Sequence, residues 1–222
     1  KVWGKNAKRS RPDTYPYNYV DEFPTNLANV TTVFSSQRAF AALLKNGTVH
    51  VSGRFLTGGC NSGETYTATS MSGHYSCKPD SLSNVKTIFS TSQAFAALTW
   101  TGNVVVWGAH RNGGCNDGPS PNTQYSCKPN SISSNVTTIF SNVYTFAALK
   151  TTGEVIVWGR SGTTYGAGQT LSFGLNNVHA IYPFRYGYLI IQRNGSTSKI
   201  GTVDPTPPST LPTDIKSYIG HT

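Results

Sequence analysis

Apolar and polar positions along this chain recur in one fixed frame, four times over. The first copy reads Val33-Phe34-Ser35 … Ala39-Phe40-Ala41-Ala42-Leu43 … Gly47 … Gly53, and the second Ile88-Phe89-Ser90 … Ala94-Phe95-Ala96-Ala97-Leu98 … Gly102 … Trp107-Gly108. The third is Ile139-Phe140-Ser141 … Phe146-Ala147-Ala148-Leu149 … Gly153 … Trp158-Gly159; a degenerate fourth is Ile181-Tyr182 … Tyr188 … Gly195 … Gly201. In every copy the two aromatics are six apart, the first Gly follows seven later and the second six after that. A short unit of this kind cannot bury its apolar face alone, so the copies must stack on one another.

Each copy holds two apolar stretches around a short turn, Phe40 to Leu44 and Val49 to Val51 flanking Asn46-Gly47, and Phe95 to Leu98 and Val104 to Trp107 flanking Thr101-Gly102. Asn-Gly predicts a hairpin with a type I′ turn, and the β-branched residues after it suit a pleated strand. Val30 to Phe34, Val85 to Phe89 and Val136 to Phe140 add a further strand ahead of each hairpin. The unit is a small antiparallel sheet. The Ala-Ala pairs at 41–42, 96–97 and 147–148 are weak strand formers, which points to close approach between strands near the axis of a radial array. Phe40, Phe95 and Phe146 would then fill the space between sheets. A flat solenoid accounts for the same residues.

This cadence resembles the repeat of the regulator of chromosome condensation family, in particular units reading Ala-Phe-Ala-Ala-Leu-Lys-x-x-Gly-x-Val-x-x-Trp-Gly. The resemblance covers about 30–222 and implies an all-β fold, a β-propeller of repeated small antiparallel sheets. Ser52 stands where the first copy would carry Trp, the fourth has Lys199-Ile200 there, and the histidine common early in the family's unit is absent. Repeat blocks are expected at about 30–53, 85–108, 136–159 and 178–201, with partial copies at 1–4 (Trp3-Gly4) and 215–222 (Ile215 to Ile219). Residues 1–222 are read as a single propeller or a propeller fragment. Either the split ends complete a shared blade or the chain belongs to a longer protein; many family propellers have seven blades.

The cysteines sit at equivalent places in successive copies. Gly58-Gly59-Cys60 … Tyr75-Ser76-Cys77-Lys78-Pro79 is echoed by Gly113-Gly114-Cys115 … Tyr125-Ser126-Cys127-Lys128-Pro129. Each pair brackets a connection between repeats, 54–84 and 109–135, and predicts the disulfides Cys60–Cys77 and Cys115–Cys127. Zinc is the rival, but the tight Cys-x-x-Cys spacing it uses is absent. Four glycosylation sequons begin at Asn29, Asn46, Asn135 and Asn194; for Asn46 and Asn194 the turn alone would also choose Asn-Gly. With Ser/Thr/Asn-rich loops and one Met, they place the expected compartment outside the cell, in secreted or surface form. The apolar runs fall far short of the ~18 residues of a membrane helix, and the opening residues carry no leader pattern, consistent with a processed or truncated start.

A formal charge of +9 biases partners toward anionic surfaces, and Lys1, Lys5, Lys8, Arg9 and Arg11 cluster at the start. Against that charge stand nine carboxylates and five histidines in no recurring partnership. The metalloprotease, serine-hydrolase and phosphate-loop signatures are all missing. Asn116-Asp117-Gly118 reads as a calcium loop or, more simply, a turn. No catalytic residue, metal or cofactor is assigned. Function is expected in the cystine loops, on Arg54, Phe55, His74, Tyr75 and Lys78 of the first and His110, Arg111, Tyr125 and Lys128 of the second. For Tyr75 and Tyr125, each beside a Cys, packing of the loop on its own sheet is the stronger reading.

The expected function is a non-enzymatic protein-interaction or extracellular structural module, binding protein or glycan, with self-assembly through the split end repeats as one route. A lectin or protein inhibitor is the alternative. Guanine-nucleotide exchange or chromatin binding, implied by the family resemblance, fits the paired cysteines poorly, and nucleic acid is not an expected partner.

Overall fold

Each sequence repeat folds as one antiparallel sheet, in the order in which the repeats occur. The computed structural model of the chain describes residues 19–20, 27–61, 75–116, 125–174 and 177–204. The partial copies expected at 1–4 and 215–222 lie outside them. Sheet one comprises β1 (Tyr19–Val20), β2 (Val30–Ser35), β3 (Ala39–Leu44) and β4 (Val49–Arg54), in the order β1-β4-β3-β2. Sheet two has β5 (Tyr75–Ser76), β6 (Val85–Ser90), β7 (Ala94–Thr99) and β8 (Val104–Ala109) in the matching order β5-β8-β7-β6.

Sheet three adds β9 (Tyr125–Ser126), β10 (Val136–Ser141), β11 (Thr145–Lys150), β12 (Glu154–Arg160) and β13 (Thr170–Ser172). β10, β11 and β12 are adjacent, and both β9 and β13 pair with β12. Sheet four is β14 (Val178–Phe184), β15 (Tyr186–Gln192) and β16 (Thr197–Thr202). In each of the first three sheets a two-residue strand from the segment ahead of the sheet pairs with its last long strand and caps that edge, joined in sheet three by β13. Hydrophobic patterning marks the three inner strands and not these short ones.

The strands β2, β6, β10 and β14 pack against one another in turn, so the sheets converge along them as the blades of a propeller do. Side chains alternate across each pleat, and that alternation explains the Ala-Ala pairs. Ala96 faces sheet three, where Ile139, Phe146, Ala148 and Trp158 meet it, whereas Ala97 faces Ala39, Ala41 and Val51 of sheet one beside Phe95 and Trp107. The same arrangement sets Ala147, Val155 and Val157 against Ile181, Tyr188 and Ile200 of sheet four. Phe95 and Phe146 are fully buried between sheets as expected. Phe40 keeps 38% of its surface, on the face of sheet one that no other described sheet covers.

The hairpin turns differ from the expected type I′. Gly47 N donates to Leu44 O and Leu44 N to Thr48 O, both at 2.9 Å, and only Gly47 of the Asn46-Gly47 pair has positive φ (78°). This is a type I turn closed by a left-handed residue, a one-residue-longer connection that leaves Asn46 in an ordinary conformation. Its Oδ1 instead accepts from Thr48 N at 3.1 Å. Turns at Gly102, Gly153 and Gly195 repeat the backbone pattern.

A second contact fixes sheet to sheet. Trp107 stacks on Phe95 at 5.3 Å and donates its indole N–H to Gly58 O of the preceding repeat at 3.1 Å; Trp158 does the same with Phe146 and Gly113 O. Gly58 and Gly113 carry φ of 97° and 91°, and a Cβ on either would stand 2.6 Å from the ring of Phe95 or Phe146. Both the conformation and the space demand glycine.

In sheet four Tyr188 replaces the core Phe, and its hydroxyl donates across the interface to Thr145 O at 2.7 Å. Burial pushes this phenol well above its ordinary value.

Two outcomes follow from these interfaces. Gly113→Ala should destabilise the protein by about 2–4 kcal/mol in urea unfolding, while the exposed Thr151→Ala stays within about 0.5; equal midpoints would show the glycine contact to be slack. Because the folded pKa of Tyr188 is raised, its contribution is fully present below the unfolded value of about 10 and declines as pH rises beyond it. Tyr188→Phe should cost about 1–2 kcal/mol at neutral pH and flatten that alkaline decline in a series of melting temperatures.

Candidate functional site

Both cystine loops leave their sheet through a single 3-10 turn, Phe55–Thr57 after β4 and His110–Asn112 after β8. The expected disulfides close them: Cys60–Cys77 with Cα atoms 4.9 Å apart and Cys115–Cys127 at 4.7 Å. A backbone bond lies beside each, Lys78 N to Cys60 O and Lys128 N to Cys115 O, both 2.9 Å. The aromatic residues of the loops pair with one another. Phe55 meets Tyr75 edge-on at 5.2 Å, and His110 meets Tyr125 at 5.6 Å in the equivalent position. His110 Nε2 also lies 2.9 Å from Ser76 Oγ.

Of the residues expected to display function here, His74 lies outside the described residues. Phe55, Tyr125, Lys78 and Lys128 are buried, at 2%, 2%, 6% and 4% exposure. The Lys78 ammonium donates to Pro79 O at 3.1 Å. Arg54, Tyr75 and His110 are half-buried, which leaves Arg111 exposed. The repetition of these residues thus reflects how each loop packs onto the edge of the following sheet, where β5 pairs with β8 and β9 with β12. Asn116 is engaged in the same way, its amide bonding both Val106 O (2.6 Å) and Val106 N (3.2 Å) along the edge of β8. Asp117 and Gly118, the rest of the expected turn or calcium loop, lie outside the described residues.

The two ends of the sheets differ in chemistry. At one end lie the turns between β2 and β3, β6 and β7, β10 and β11, and β14 and β15, together with the last residues of β4, β8, β12 and β16. Backbone bonds link these turns, Gln37 N to Ser92 O at 2.8 Å and Ser92 N to Val143 O at 3.1 Å. Asn112 Nδ2 reaches Val143 O at 3.1 Å from the second cystine loop. A depression of about 410 Å³ opens here, lined by Ser90–Ser92, Ser141–Val143 and Pro183–Arg185.

At its rim three tyrosines meet. Tyr144 lies 5.2 Å from Tyr165 and stacks 5.8 Å from Tyr186, and Tyr165 meets Tyr186 edge-on at 5.8 Å. The Arg160 guanidinium sits 5.0 Å from the Tyr144 ring and 4.7 Å from that of Tyr165, and Arg185 lies 5.1 Å over Tyr186. Arg38, Arg54 and Arg111 belong to the same end.

The opposite end holds the sequons. Asn46 and Asn194 occupy its hairpin turns, and Asn29 and Asn135 stand just before β2 and β10; all four are exposed. The Asn46 and Asn194 oxygens accept from Thr48 N and Ser196 N, at 3.1 and 2.9 Å. The Asn46 amide nitrogen, the atom a glycan joins, takes no partner among the described residues.

The tyrosine cluster was not singled out from sequence. The available signal was positional: two residues before the core aromatic, copies one and two carry Arg38 and Gln93 where copies three and four carry Tyr144 and Tyr186. Tyr165 belongs to the one connection without cysteines and has no counterpart to compare.

No family model and no curated protein matches the chain. Its fold, however, matches solved propellers. Yeast RCC1 (Prp20), in its structure with Kap60, superposes with a TM-score of 0.52 at 16% identity over 83% of this chain and 45% of that one. Prp20p of Saccharomyces cerevisiae alone gives 0.48 at 16% identity over 83% and 46%, and the ectodomain of the Physcomitrella patens receptor kinase CR4 gives 0.47 at 12% over 87% and 46%. The chain therefore spans less than half the length of these propellers. At such identities the likeness speaks to architecture, and what it shows is an RCC1-like β-propeller fold braced by two disulfides.

Proposed function

We propose that this chain is a secreted, disulfide-braced and N-glycosylated propeller that serves as a non-enzymatic protein-interaction scaffold. The observation that carries the reading is the separation of chemistry between the ends: four exposed sequon asparagines at one, arginine and stacked tyrosine at the other. Cystines persist where the environment is oxidising, and each of these closes a single connection between successive sheets. A glycan on any of the four asparagines projects from one end and leaves the other open. Tyrosine and arginine combine contact area with polar handles and dominate the energetics of protein interfaces. The yeast propeller that this fold resembles was itself solved in complex with a protein, Kap60.

Peptide mass spectrometry of the unreduced native protein, before and after enzymatic deglycosylation, tests the reading. Cys60 should be found joined to Cys77 and Cys115 to Cys127, with hexose mass on at least one of Asn29, Asn46, Asn135 and Asn194. Free thiols together with four bare asparagines would reject secretion and turn attention to intracellular partners. Reduction of both cystines should lower stability by about 3 kcal/mol for each loop closed.

A further inference from the structure

We infer that the end of the propeller carrying Tyr144, Tyr165, Tyr186, Arg160 and Arg185 is a docking face for an acidic segment of a protein partner. The inference rests on the interaction-scaffold reading and names the partner's chemistry and the surface it meets.

Two observations on one end converge. The first is the geometry of the guanidinium groups. The Arg160 guanidinium lies against the rings of both Tyr144 and Tyr165, and that of Arg185 lies over Tyr186, with centroid distances of 4.7–5.1 Å. A guanidinium held against aromatic rings still carries the N–H fork that matches a carboxylate. Neither arginine has a carboxylate partner among the described residues; the ion pair present there, Lys150 with Glu154, belongs to the opposite end. Contact with the rings also restricts the arginine side chains before any partner arrives, which reduces the ordering cost of binding.

The second observation is the depression beside the cluster. Its wall runs from Pro183, Phe184 and Arg185 across Ser141–Val143 to Ser90–Ser92, so apolar surface adjoins hydroxyl and amide groups with arginine at the margin. An extended acidic segment with apolar side chains finds a carboxylate site and a recess together. Charge complementarity selects the occupant. This end carries five arginines, Arg38, Arg54, Arg111, Arg160 and Arg185, against one acidic residue, Asp204, two positions beyond β16, among the described residues. The tyrosines beside the recess favour a polypeptide over a sulfated polysaccharide, because tyrosine and arginine together are enriched at protein interfaces. The sequons of the other end keep glycans away from this one.

The test uses the glycosylated, unreduced chain and a fluorescein-labelled peptide of four Asp-Glu-Leu repeats, followed by fluorescence anisotropy. Saturable binding is expected, weakened about ten-fold when Arg160→Gln and Arg185→Gln are combined. The exposed Arg185→Gln alone should weaken it several-fold. The pair Lys45→Gln and Lys199→Gln, placed away from this face, should leave affinity unchanged, as should removal of the glycans. Circular dichroism and melting temperature confirm that each variant is folded. Equal affinity of the arginine variants, equal loss in the lysine variants, or no peptide binding at all overturns the inference. So does a heparin hexasaccharide that binds through the same arginines where the peptide does not. Disulfide and glycan mapping of the same preparation separates the two readings: intact cystines and glycans without peptide binding remove the docking face and leave the secreted scaffold standing.

Discussion

The first three sheets depend on one another for burial, and the contact that enforces the dependence is the Trp–Phe stack capped by a glycine carbonyl. Trp107 and Trp158 are fully buried, yet each keeps an indole N–H that must find an acceptor. The acceptor comes from the preceding repeat, Gly58 O or Gly113 O. The glycine admits the neighbouring ring because it has no Cβ, and its left-handed conformation turns the chain into the connection that carries the cystine. One site thereby joins the core, the spacing between sheets and the start of the loop.

The connections are built from the same interface outward. Gly58 and Gly113 precede Cys60 and Cys115 by two residues, so each disulfide begins where the sheet-to-sheet contact ends. The short strands β5 and β9 then pair with the outer edges of the next sheets, and Phe55–Tyr75 and His110–Tyr125 fill the angle between. Sheet three breaks the scheme. Its outgoing connection has no cystine, and Gly166 takes the place of Gly58 and Gly113, packing against Ile200 in place of Trp. That freer connection is the one that delivers Tyr165 to the rim.

Departures from the repeat thus mark where the chain does something other than hold itself together. Tyr188 replaces a core Phe and adds a hydroxyl bond across the interface; Tyr186 and Tyr144 replace the Arg38 and Gln93 of earlier copies and meet across two sheets. The repeated frame supplies rigidity, and the variation between copies sits at the turn ends, where the sheets present side chains without disturbing their packing. Sequon asparagines at one end and cationic aromatic surface at the other are a consequence of strand direction, since alternate turns of an up-and-down sheet emerge at opposite ends.

How much of this was legible in the amino-acid order follows from the range of each interaction. The sheets, the burial of Phe95 and Phe146, and the pairing of Cys60 with Cys77 and Cys115 with Cys127 are local or repeated signals, and a period of fixed spacing displays them directly. Other features needed the folded chain. The turn at Asn46-Gly47 took the longer form, with a side-chain acceptor relieving Asn46 of positive φ, and that choice depends on closing geometry rather than composition. Lys78 and Lys128 read as loop-surface residues because their type is usually exposed, whereas the folded cystine loop covers them. Tyr144 and Arg160 meet within sheet three, but Tyr186 joins them only because the neighbouring sheet brings its turn end alongside. By itself the sequence determined the repeat, its strands and its cystines, since those rest on contacts within a repeat or between adjacent copies. The tertiary structure alone decided which side chains share an end and a face, because that depends on strand direction and sheet order, which no local spacing encodes.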